Sequence, residues 1–357
     1  MKKILLLVLA VLCLSLVSCS DVKYEPVEST KEEERVVYTM FLDGEKYEVK
    51  YELYRMLFLN NKSLVDGGDS SVWDSAVAGE YIEKINDLIY ARAAEIFSVF
   101  HFASELGINP YSAAVNDKIY EYIVISVEGN GGDIKGHGSY ESFLLSLTDR
   151  NMNYSVMELL LRYSIVYSYI NEEYKGVEDE VLGQLPGNIE ISRDQVFSYY
   201  MSDECARILQ MVCADSAKMA EHRSRLAEKA TDKERALYII QQSTALHTDC
   251  IVDKEVSGVI IGKYAQDATR FGEYTKAALS LSGGELGDVF EISGDCYLAI
   301  GLEKSEEHFD RCYDAVRQSY IDNEVGKRLE NTKLALIDTV EAGGAYSEIR
   351  HALISMN

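Results

Sequence analysis

Proline is almost missing from this chain, with three in 357 residues, so little interrupts its helical stretches. Histidine is scarce as well. The six, at positions 101, 137, 222, 247, 308 and 351, are scattered without metal-ligand spacing, and neither a metal nor a cofactor is expected. Basic residues are outnumbered, 35 Lys and Arg against 59 Asp and Glu, for a formal net charge of −24. Such a surface repels nucleic acid and anionic lipid faces, so no nucleic-acid partner is expected. Solubility is the plain reading of that charge, and a preference for basic polypeptides the sharper one. Cys205, Cys213, Cys250, Cys296 and Cys312 are an odd set without paired spacing. They make a poor disulfide framework and serve as small apolar fillers. Also lacking is the sustained strand–helix alternation that a two-lobed α/β solute-binding protein needs.

What is present begins at the amino end. Met1-Lys2-Lys3 precede an apolar run from Ile4 to Val17, the layout of an export signal. Its 14 residues fall short of the roughly 20 that span a bilayer, and no later segment is a better candidate. Leu16-Val17-Ser18-Cys19 resembles the lipobox of bacterial lipoproteins. Residues 1–18 are then a signal peptide and Cys19 a lipidated amino terminus on the extracytoplasmic side of the cell membrane. Two acyl chains on that cysteine suffice for stable anchoring. Residues 19–35, polar and charged with Pro26 and Lys31-Glu32-Glu33-Glu34-Arg35, read as a tether.

The body is predicted to be α+β. Two strand-like runs flank Asp43-Gly44, a hairpin signal. Apolar residues at helical spacing follow over Tyr51–Leu59, Tyr81–Leu106, Ala113–Val127, Tyr140–Leu147 and Ser155–Tyr174. Gly107 and Pro110 stop the second of these. The loop Gly129–Gly138 is glycine-rich but does not join a strand to a helix as a phosphate loop would. Gly183–Ile191, with Pro186, reads as a linker. Beyond it, Ala206–Val212 suits a buried strand and Ser216–Gln242 one charged amphipathic helix. Short apolar runs at 259–261, 288–291 and 296–300 follow, and Glu306–Asp338 returns to a single long helix with a tail helix near Tyr346–Ser355. The stripe Phe309, Tyr313, Val316, Tyr320 and Val325 on that helix needs a partner, and the earlier helices need one too. Residues 202–304 are therefore expected as an insertion between a helical lobe at 36–190 and its completing segment at 306–357.

This order of elements resembles the PrsA/SurA family of extracytoplasmic foldases, in which a helical chaperone lobe carries a parvulin-type prolyl isomerase domain. The clearest stretch is Tyr274-Thr275-Lys276-Ala277-Ala278-Leu279 through Gly283-Gly284-Glu285-Leu286 to Asp288-Val289-Phe290-Glu291, and Glu105-Leu106-Gly107-Ile108 is similar to a helix ending in the chaperone lobe. The resemblance implies unfolded or partly folded exported polypeptides as partners, and a pocket with two histidines on its floor. Those positions fall on Arg207 and Tyr297. Thr248-Asp249-Cys250 resembles the family's Ser-Asp-Cys, so Asp249 and Cys250 are the candidate catalytic groups. Tyr274 and Tyr264 match pocket aromatics, and the pocket methionine falls near Arg270.

Prolyl isomerisation crosses a barrier of ~20 kcal/mol without making or breaking a bond. It needs an apolar slot for the ring and polar groups that favour the twisted amide. An always-charged Arg207 in the floor is costly to bury unpaired, which argues for a weak or inactive domain; an active isomerase relying on Cys250 and Asp249 is the alternative, and a binding lipoprotein without chaperone role the second. His247 lies too near Cys250 in sequence, with no third orienting group, for a nucleophilic pair. Tyrosine is abundant at 25. Tyr163, Tyr167 and Tyr174 share one face of a predicted helix, either as core or as a cradle for non-native chains, to which tyrosine offers apolar contact with a polar tip.

Overall fold

The computed structural model describes residues 24–175, 191–244, 250–252, 259–265 and 268–354. The signal segment with Cys19, the linker around Pro186, and Asp249 lie outside them. So do the side chains of Tyr174, Cys250 and Arg270.

Strands β1 (Val36–Leu42) and β2 (Glu45–Lys50) pair antiparallel, with Leu42 opposite Glu45. Asp43 and Gly44 form the two-residue turn at φ 51° and 83°, the left-handed pair that matches strand twist. Helix α1 (Tyr51–Asp66) follows directly, then a short 3-10 turn over Ser70–Asp74 and the long α2 (Ala78–Glu105). Past the end of α2, Gly107 takes φ 76° and Ile108 N–H reaches back to the Ala103 carbonyl at 2.8 Å, which satisfies the open helix end. Helices α3 (Ala113–Glu128) and α4 (Tyr140–Thr148) start at Ser112 and Ser139, whose side chains accept backbone N–H groups. Helix α5 (Tyr154–Lys175) completes this run.

Helix α6 (Arg193–Met201) was not foreseen; a reciprocal capping box between Ser192 and Gln195 starts it. Then come β3 (Cys205–Cys213), α7 (Ser216–Ala227) and α8 (Asp232–Thr244). The single helix expected over 216–242 is thus two. Thr231 and Glu234 cap a new start, the carboxylate accepting from Ala230 and Thr231 N–H and the Thr231 hydroxyl from Glu234 N–H. Strands β4 (Cys250–Val252) and β5 (Val259–Gly262), helix α9 (Ala268–Ser280), and strands β6 (Leu286–Ile292) and β7 (Asp295–Gly301) finish this part. Helix α10 (Glu306–Ile337), β8 (Glu341–Ala342) and α11 (Tyr346–Ile354) end the chain.

The fold is α+β with two antiparallel sheets. One has the order β2-β1-β8; the other has β4-β3-β7-β6, with β5 also pairing with β3. The largest core joins β1, β2 and α1 to α5 with Val325 and Leu336 of α10 and Ile349 and Leu353 of α11. Its centre is a tyrosine cluster: Tyr38 packs on Tyr54, Tyr90 and Tyr346 at 4.9–5.5 Å between ring centres. The first part of α10 belongs to a different core, where Phe309, Cys312 and Val316 pack with Val196, Tyr199 and Tyr200 of α6. Within this first part, Cys312 leaves helical geometry at φ −115°, ψ 19°. Leu334, further along, is half exposed.

Candidate functional site

The positions that sequence comparison with parvulins selects are only partly brought together. Tyr274 of α9 is 3% exposed and donates its hydroxyl to Gln210 Oε1 at 2.6 Å. Burial raises its pKa, so it stays a neutral phenol. Tyr297 of β7 packs against it, ring centres 5.5 Å apart. Phe271 lies against Tyr297 at 5.9 Å and Phe290 against Tyr274 at 5.7 Å. Phe271 and Phe290 were not singled out in the sequence, although Phe271 is next to Arg270 and Phe290 lies within the matching stretch.

Arg207 is not part of this group. Along β3, Ala206 and Ile208 join the Tyr274 core, whereas Leu209 and Met211 pack on the other side of the sheet. Alternation puts Arg207 with the second set. Its guanidinium donates to the Glu303 carbonyl at 2.8 Å, and its charge is felt at Tyr200 and Cys312. Tyr297 stands opposite Val212, not Arg207, in the ladder. The two supposed floor positions therefore do not face each other.

Tyr264 is also elsewhere. Its backbone N–H donates to Asn323 Oδ1 of α10 at 2.9 Å, and a Cβ on Gly326 would come 2.0 Å from its carbonyl oxygen. Asn323, fully buried, in turn donates to Glu204, which also pairs with Lys327 at 2.9 Å.

The cysteines differ from expectation in one respect. Cys205, Cys296 and Cys312 are free and buried, and burial pushes the Cys205 thiol up to about 12. Cys213, however, is disulfide-bonded. Position 213 of β3 stands directly across from position 250 of β4, two strands distant in sequence yet adjacent in the sheet.

The helical lobe holds a cleft of about 660 Å³. Leu53, Phe97, Phe100, Tyr111, Val156 and Leu159 give it apolar walls; Glu33, Glu45, Glu48, Glu52, Lys46 and Lys50 give it a charged margin. Burial raises the Glu52 carboxyl, which Arg55 at 3.5 Å offsets only in part. Tyr163 and Tyr167 follow Leu159 at helical spacing along α5 but lie outside the lining of the cleft. Their rings stack at 6.4 Å. Tyr163 also donates to Glu95 at 2.8 Å and lies under Arg92, while Tyr167 is 41% exposed. No helix among the described residues is long and apolar enough to cross a membrane.

An α+β chain with a helical lobe, a cleft and a small antiparallel domain is the class these features define. Among solved structures it is similar to PrsA foldases. The foldase protein PrsA of Streptococcus pneumoniae matches at 15% identity and TM-score 0.26, over 73% of this chain and 86% of that one. PrsA of Bacillus anthracis, described as a peptidylprolyl isomerase, matches at 13% and 0.26, over 74% and 98%. PrsA of Bacillus subtilis matches at 12% and 0.24, over 86% and 93%. No protein-family model matches the chain, and no curated protein does.

Proposed function

We propose that this chain is a lipid-anchored extracytoplasmic chaperone of the PrsA/SurA kind, which holds non-native exported polypeptides in the cleft of its helical lobe. In this reading residues 36–190 and 306–357 are one lobe and 202–304 an inserted parvulin-like domain with weak or no isomerase activity. The observation that carries it is the cleft: apolar walls with a mainly acidic margin suit an unfolded segment that is apolar and basic. In the inserted domain Tyr274, Tyr297, Phe271 and Phe290 pack together as core, and the two supposed floor positions, Arg207 and Tyr297, lie on opposite sides of β3 and β7.

Aggregation of reduced, unfolded lysozyme, a basic client, tests the holding function. The full chain is expected to slow it, and Tyr111→Glu, a change at a wall residue 64% exposed, to weaken the effect at unchanged melting temperature. Equal protection by both proteins would refute the cleft as the client site. For the inserted domain, turnover of a proline tetrapeptide is expected to be more than tenfold below that of an active parvulin, a gap of about 1.4 kcal/mol in barrier.

A further inference from the structure

At the turn end of the β1–β2 hairpin, beside the cleft margin, His101 of α2 is 5% exposed and surrounded by acidic groups. Its Nδ1 lies 2.9 Å from the Tyr47 hydroxyl, and that hydroxyl donates to Glu45 Oε2. The phenol proton therefore points to Glu45, the phenol oxygen accepts from His101, and the imidazole proton sits on Nδ1. Nε2 is the ring nitrogen that faces the remaining acids.

Nε2 faces Asp43 Oδ2 at 3.4 Å and Glu105 Oε1 at 3.8 Å. The three atoms lie within 4.8 Å of one another. The buried histidine thus turns one ring nitrogen towards two carboxylates from separate elements, the hairpin turn and the end of α2. Bonds of about 2.1 Å to a tetrahedral zinc ion set neighbouring ligand atoms ~3.4 Å apart. The two separations from Nε2, 3.4 and 3.8 Å, are close to that.

We propose that His101, Asp43 and Glu105 bind one divalent transition cation of the zinc type, fastening the hairpin turn to the last turn of α2. A histidine and two carboxylates are ordinary ligands for such an ion, with water completing the shell. The Nδ1–H···Tyr47···Glu45 chain is the outer support that fixes tautomer and ring orientation. Position favours a cation too, since the carboxyl end of a helix is its negative pole. Arg328 of α10 donates to both oxygens of Glu105, but a carboxylate has four lone-pair sites and keeps two for a metal. The sequence carries a faint signal, His101 and Glu105 one helical turn apart; Asp43 is too distant along the chain to complete a recognisable spacing.

The test is a zinc titration of the metal-stripped full chain, followed by calorimetry and thermal melting. One Zn²⁺ per chain and a higher melting temperature are expected. Asp43→Asn, at a residue with a 75% exposed side chain and so harmless to the fold, is expected to weaken binding at least tenfold. Tyr47→Phe, which removes the orienting hydroxyl, should weaken it by about 10- to 100-fold. Absence of stoichiometric binding at micromolar zinc overturns the proposal. So does equal uptake by wild type and Asp43→Asn, which would mark the metal as spread over the acidic surface.

Discussion

Glu52 is held at the edge of the cleft with its carboxyl largely out of water, and burial is the main cause of its raised pKa. A carboxyl whose folded pKa lies above its unfolded one stabilises the fold below the unfolded value, and that stabilisation is lost as pH rises through the folded one. At neutral pH the ionised group is therefore a liability. Glu52→Gln is expected to raise the melting temperature at pH 7, and the gain should shrink or reverse towards pH 4. Melts of the two proteins across that range decide it; equal melting at every pH would show Glu52 to be fully compensated by Arg55. Neither the burial nor the effect was legible in the sequence, where Glu52 is one acid among many. The tyrosines show the opposite case. Their abundance suggested core or cradle, and the structure divides them: Tyr38 and Tyr54 are fully buried, while Tyr167 remains exposed beyond the cleft.

Elements were read well where a local signal exists, and poorly where the determinant is a neighbour in space. The Asp43-Gly44 turn and the Gly107 stop act within a few residues, and both appear as expected. Helix α6 and the break at 228–231 carried capping boxes, Ser192 with Gln195 and Thr231 with Glu234, that amphipathic periodicity alone passes over. Arg207 and Tyr297 matched a family pattern in line, yet pairing register and strand alternation, which depend on the partner strand, separate them. Register also places position 213 opposite position 250. Residues opposite each other in an antiparallel ladder have Cα atoms about 4.5–5.5 Å apart, within disulfide reach. Peptide mapping of the oxidised protein is expected to link the Cys213 peptide to that carrying Cys250; a Cys250 alkylated without reduction would exclude it. At the docking of α10, a Cβ at position 326 would meet the Tyr264 carbonyl. Gly326→Ala is therefore expected to cost about 1–3 kcal/mol by overpacking, read as a lower denaturation midpoint, whereas Gly44→Asn, in an open turn that tolerates Asn, should cost far less.

Across the whole molecule, α10 is the element shared by two cores, Phe309 and Val316 in one and Val325 and Leu336 in the other. Replacing 202–304 by a short Gly-Ser linker is expected to leave a helical protein that melts cooperatively, because the large core draws none of the described residues of that segment. Ending the chain at Ser305 removes four side chains of that core and others packed beside them, and is expected to destabilise it by several kcal/mol, since each deleted large side chain costs ~2–5. Circular dichroism melts of the two proteins separate the cases; an unfolded linker variant beside an unperturbed truncation would reverse the assignment of α10.

The smallest strand has a bearing on timing. β8 pairs Tyr38 with Ala342 and Thr39 with Glu341, and Gly343 N–H donates to the Val37 carbonyl at 2.7 Å, so the last part of the chain is laid against its first strand. A polypeptide emerges amino end first, and β1 must wait, with one edge unpaired, until almost everything else has been made. The segment from β3 to β7 has all its strand partners within itself and can close while the helical lobe is still open. During that interval Val37, Tyr38 and Met40 are exposed on an unfinished sheet, the condition in which strands pair with the wrong neighbour. A protein built this way is, for the length of its own synthesis, the kind of chain that needs a holder.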